Sequence, residues 1–188
     1  MNRLNIRTGD MIRYAALGLA LLGLVVLYVF EFKYFNLTLN LRGLIFKGLV
    51  AGLILGLVLG RLYYKQGRDL TERIQLYVFF VVLSMVFMPL FVSLSNRLLS
   101  FKPPSSLSVE YVGTEAYFSD RFGVTKGQQI KPTGYNLFFY HDNQLKKIRL
   151  DYPLFQDSLR GAMITLPVRA GLWGHKVILP DRLGETGI

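Results

Sequence analysis

Four glycines recur at every fourth position of an otherwise apolar stretch. They are Gly48, Gly52, Gly56 and Gly60, within residues 44–64, LIFKGLVAGLILGLVLGRLYY. The stretch is long enough to cross a bilayer as a helix. Residues four apart fall on one side of a helix, so the glycines form a smooth groove along it. In lipid the hydrophobic effect does not drive helix pairing, and small-residue faces let a second helix approach backbone to backbone. These glycines are therefore expected to form a helix–helix interface. The partner is either another helix of the same chain or a helix of another subunit. A pore along the groove would be dry, because no polar side chain lies between Gly48 and Gly60.

Two further apolar runs flank this one. Residues 14–32 (YAALGLALLGLVVLYVFEF) follow a basic start with Arg3, Arg7 and Arg13. No small-x-small cleavage site follows the run, so it reads as a retained span. Its small residues Ala16, Gly18, Ala20 and Gly23 make it a candidate partner for the groove. Residues 76–94 form a third span, rich in Tyr77, Phe79, Phe80, Phe87 and Phe91 and expected to face lipid in large part. Pro89 should kink this helix, with Ser84 satisfying a freed carbonyl. Between the second and third spans, Gly67 is expected to stop one helix, and Asp69 or Thr71 to cap the next.

The first connection, YFNLTLNLRG at 34–43, alternates Phe35, Leu37, Leu39 and Leu41 with polar residues, which is a strand period. A lone strand has no stable partner. The segment either pairs with the C-terminal part of the chain or rests its leucines on lipid. Asn36-Leu37-Thr38 matches the N-glycosylation pattern by chance in a chain that otherwise reads as bacterial.

After a stiff polar linker at 101–106 (FKPPSS) the texture changes. Strands are expected at 107–112, 116–118, 135–141, 145–150, 162–168 and 175–179. Asp142-Asn143 signals a hairpin turn, residues 171–174 a second turn, residues 123–134 a longer loop and 153–158 a helical turn. The fold class is thus a membrane α+β protein. Three transmembrane helices (1–100) and the linker precede a small antiparallel β domain (107–188), a sandwich or open barrel of five to seven strands. So short a domain has a thin core and needs help from the first connection, the membrane surface or a partner.

The net charge of +10 would suit a nucleic-acid binder. Most of the excess, however, sits at the ends of apolar runs, where it sets membrane orientation. The hydrophobic fraction of 52% supports the same reading. The N-terminus and second connection carry seven Lys or Arg, against five on the opposite side. That bias puts the N-terminus in the cytoplasm of a bacterial inner membrane and the β domain in the periplasm, with Tyr14, Tyr63, Tyr64 and Tyr77 as an inner aromatic belt.

The chain has no cysteine, which excludes disulfides, Cys-ligated metal and a Cys nucleophile. His141 and His175 are the two histidines, with no HExxH, G-x-S-x-G or Walker motif around them. No cofactor, metal or catalytic residue is expected. The spans carry no ionisable group near mid-membrane, which argues against transport and against haem between the helices. Lys146, Lys147 and Arg149 are the densest basic cluster of the tail, either a solvated strand face or a surface for a partner or for anionic headgroups. Adjacent Phe138 and Phe139 put a ring on each face of their strand, a pointer to an interface.

Function read from this inventory is that of a non-catalytic membrane subunit or scaffold. Its partners would be membrane lipid and other transmembrane helices, docked through the glycine groove and the external domain. The alternative is an effector or sensor that oligomerises through the groove and perturbs the bilayer when the β domain receives a signal.

Overall fold

The computed structural model describes residues 8–118, 132–153 and 160–183. The loop expected at 123–134 falls mostly outside these residues, as does most of the helical turn expected at 153–158. Three helices come first: α1 (Thr8–Phe35), α2 (Leu41–Tyr63) and α3 (Leu70–Leu98). All three are long and apolar enough to cross a membrane. Five strands follow: β1 (Ser105–Tyr117), β2 (Gly134–His141), β3 (Gln144–Leu150), β4 (Met163–Ala170) and β5 (Lys176–Ile178). Three apolar helices followed by an antiparallel sheet is the expected α+β membrane architecture.

The chain divides into two compact units. The first holds Met1–Lys33 and Gly48–Phe91, and the second holds Tyr34–Lys47 and Val92–Ile188. The boundary does not fall at the end of α3. The first turns of α2 and the last turns of α3 belong to the same unit as the sheet.

Within the first unit, α2 packs its glycine face on α3. A Cβ at Gly48 would stand 2.6 Å from the Pro89 Cα, one at Gly52 2.6 Å from the Ser84 carbonyl oxygen, and one at Gly56 2.5 Å from the Val81 Cα. At Gly60 the neighbour is the Tyr77 ring. Pro89 sits inside an unbroken helix and presents its backbone to Gly48. Phe80 stacks on Tyr63 with ring centroids 5.0 Å apart, so some of the aromatics face α2, while Phe79, Val82 and Val86 stay exposed. The connection from α2 to α3 uses the expected residues. A short 3₁₀ turn, Tyr64–Gln66, ends at Gly67. Asp69 Oδ1 then accepts the Glu72 N–H at 2.7 Å, and Glu72 reaches back to accept the Arg68 N–H. Two donors that a helix start leaves open are satisfied in this way.

In the second unit the sheet runs β3-β2-β1-β4-β5, antiparallel throughout, and curls into a half-barrel. Sequence reasoning split β1 into two strands. It is one long strand, whose first half pairs with β4 and whose second half pairs with β2. Between Tyr111 and Gly113 the register shifts as Val112 bulges out, a device that adds twist and bends a strand. The concave face is lined by Val109, Tyr111, Leu137, Phe139, Ile148, Leu150, Leu166 and Val168. Phe139 is fully buried there, while Phe138 lies half-buried on the other face. Asp142 and Asn143 hold the β2–β3 hairpin with φ of 51° and 56°, the left-handed pair that a tight two-residue turn requires.

The first connection completes the sheet. Thr38 bridges Val177, the Leu39 N–H donates to the Lys176 carbonyl at 3.0 Å, and the Ile178 N–H donates to the Leu37 carbonyl at 2.9 Å. Leu37 and Leu39 enter the core. Burying two leucines contributes about 3–6 kcal/mol. That offsets only part of the cost of ordering the five residues between α1 and α2, about 1–2 kcal/mol each. Of the two sequence readings of this segment, pairing with the C-terminal part is the one found, as a single β-bridge at Thr38 and not as a strand, because residues 34–35 lie in α1 and 41–43 in α2.

Candidate functional site: a basic groove and a polar joint

A groove of about 860 Å³ opens on the second unit. One wall is the segment from Phe35 to Arg42, which leaves α1 and enters α2. The other is the tip of the β2–β3 hairpin, from His141 to Lys147. These two walls are the open seam of the half-barrel, because β3 is one end of the strand order and the first connection pairs beyond β5 at the other.

The groove is basic. Among the described residues it is lined by Arg42, Lys146 and Lys147, with Asp142 as its one carboxylate. Asp142 stands 3.4 Å from His141 Nε2 and is 84% exposed, so it is spent at the rim on the histidine. Lys146 donates to the neutral Gln144 amide at 2.8 Å. Among the described residues, Arg42 and Lys147 have no carboxylate partner. Asn40 caps α2 by accepting the Gly43 N–H at its Oδ1, 3.1 Å away. No acidic residue occupies the first turn of α2, so the positive end of that helix adds to the field.

Of the basic residues singled out in the sequence, Lys146 and Lys147 come to the groove. Arg149 does not: its guanidinium lies 3.7 Å from the centre of the Tyr117 ring, a cation–π contact on the sheet. Arg42 and His141 were missed as groove residues. Arg42 counted only as an orientation charge, and nothing local links positions 42 and 146.

Beside the groove lies a buried polar joint. Asn96, on the last turns of α3, is 1% exposed. Its Nδ2 donates to the His175 carbonyl at 3.1 Å, and its Oδ1 accepts the Trp173 N–H at 3.0 Å. Its own carbonyl accepts the Leu172 N–H at 3.3 Å. The Trp173 indole donates to Ser95 Oγ at 2.9 Å, and Lys47 Nζ donates to the Trp173 carbonyl at 2.9 Å. The β4–β5 turn is thus tied to the ends of both α2 and α3. Gly171 lies so close to Asn96 that no side chain fits there.

His175 is buried in this joint, beside Gly43. Its Nε2 has no hydrogen-bond partner among the described residues. Burial first, and the Lys47 ammonium second, hold its pKa below the ordinary histidine value, while a hydrogen bond to the Asn40 backbone works the other way. The fold therefore favours neutral imidazole, whereas the unfolded chain takes up a proton near pH 6.5. Stability from this group is fully present above that pH and is lost as pH falls from there through the lower value of the folded state. The unfolding midpoint of the detergent-solubilised chain should drop as pH is lowered below about 6.5. His175→Gln should flatten that slope.

The glycine face was a candidate docking surface for a helix of another subunit. The α3 backbone occupies it, so Gly48, Gly52, Gly56 and Gly60 form an interface inside the chain. Nor does α1 supply the partner: nothing lies within 4 Å of a Cβ placed at Gly18 or Gly23, and Ala16 and Ala20 are exposed. Comparison of the chain with protein-family models, curated proteins and solved structures gives no match in any of the three.

Proposed function

We propose that this chain is a non-catalytic subunit or scaffold of a bacterial inner-membrane assembly, with its N-terminus in the cytoplasm and its β domain in the periplasm. One observation carries the reading: the sheet is built onto the ends of α2 and α3 through Asn96, Ser95 and Lys47, with the first connection bridged to β5. A sheet tied to its flanking helix ends in this way holds its surface in one conformation, as a scaffold does. A signal-receiving domain that drives bilayer opening would need a joint able to move. The effector reading also loses the contact it relied on, since the glycine face is filled by α3. Partner helices would meet the chain on the exposed apolar faces of α1.

The test is purification of the tagged full chain in mild detergent. A fixed-ratio complex with other membrane proteins is expected, with the β domain cut by protease added to intact spheroplasts. A homo-oligomer alone, dissolved by Gly52→Leu, would overturn the subunit reading. A protected β domain would overturn the orientation.

A further inference from the structure

We infer that the basic groove is a binding site for the headgroup of an anionic phospholipid, the phosphodiester lying between Arg42 and Lys147. Position argues for lipid. One wall is the segment joining two spans, and such a segment lies at headgroup depth. Charge argues for an anion. Among the described residues three cations line the groove, and its one carboxylate is turned to His141. Juxtamembrane Lys and Arg attract anionic lipid by about 1 kcal/mol each, or about fivefold per cation. The helix below the groove argues for a whole lipid over a free anion. Phe46 follows Arg42 by four positions, so it lies one turn further along the same face of α2, and it is 67% exposed. An acyl chain descending from a headgroup at Arg42 would run over that ring. Asn40, with its Oδ1 already engaged by the helix cap, keeps its amide N–H groups as further donors.

The experiment uses the full chain in mild detergent, with native mass spectrometry counting bound lipid. Phosphatidylglycerol should be retained over phosphatidylcholine, and the Arg42→Gln, Lys147→Gln double variant should weaken that retention about tenfold or more. Should the double variant fail to fold, Lys147→Glu carries the same expectation. Phe46→Ser should weaken lipid retention as well, and inorganic phosphate at millimolar concentration should not displace the lipid. Equal retention of the two lipids, or unchanged retention by the variants, would overturn the assignment. Displacement by inorganic phosphate would replace it with a free-anion site. The readout involves no partner protein, so its failure and failure of the subunit reading are separate results.

Discussion

Gly56→Leu should force α2 away from α3 and sharply lower the unfolding midpoint of the solubilised chain. A Cβ at this position would lie 2.5 Å from the Val81 Cα. The obstacle is backbone, which cannot rotate aside. Overpacking a tight interface costs about 1–3 kcal/mol when side chains can adjust. Here the whole leucine must be accommodated by moving one helix, so the cost lies at or above the top of that range. Helix propensity pulls the other way, since leucine is favoured over glycine by under about 1 kcal/mol. That is too little to compensate. Gly18→Leu provides the control. Nothing lies within 4 Å of its Cβ, so only the propensity gain remains and the midpoint should hold or rise slightly. Equal midpoints for the two variants, by denaturant or thermal titration, would refute the close approach of α2 and α3.

The second large effect belongs to Asn96→Leu. The substitution roughly conserves volume but removes the donor to the His175 carbonyl and the acceptor of the Trp173 N–H. A buried backbone group left without a partner costs about 1–3 kcal/mol. Only the Trp173 N–H loses its partner outright, because the His175 carbonyl still accepts the Gly171 N–H, so the loss is about 1–3 kcal/mol, a sizeable part of the stability of an ordinary domain. The chain has one tryptophan, so its fluorescence reports on this joint alone. Emission should shift to the red as the Trp173 indole leaves Ser95, with the shift accompanying the drop in midpoint. An unchanged spectrum and an unchanged midpoint together would show that Asn96 does not hold the β4–β5 turn.

The sequence was most informative where a periodic pattern had one physical cause. Three spans followed from length and hydropathy alone. The two-residue hairpin at Asp142-Asn143 followed from the left-handed backbone those residues tolerate. The alternation around Leu37 and Leu39 pointed to pairing with the sheet, which the chain makes through a single bridge at Thr38 and not through a strand. Partnership across long separations was not legible. The glycine spacing announced a close helix neighbour without saying which, and α3 took the place offered equally to α1 or to another chain. Its bulky residues pointed to lipid, yet Pro89, Val81 and the Ser84 carbonyl supply a flat backbone surface for the glycines. The same holds for the groove. Lys146 and Lys147 stand out locally, whereas Arg42 joins them only because the sheet curls until its two ends stand on either side of the seam. Arg149 belongs to the same charged run, yet it is drawn off by the ring of Tyr117.

The bridge between the first connection and β5 ties the order of assembly to the order of synthesis. Thr38 leaves the ribosome long before Val177, so the edge that β5 will meet is already set between two inserted helices when the sheet begins to form. The sheet does not have to find its final border by diffusion, and its exposed margin is covered as soon as it is made, which limits the time in which strand edges can template aggregation. Membrane insertion thus acts as a built-in chaperone for the β domain.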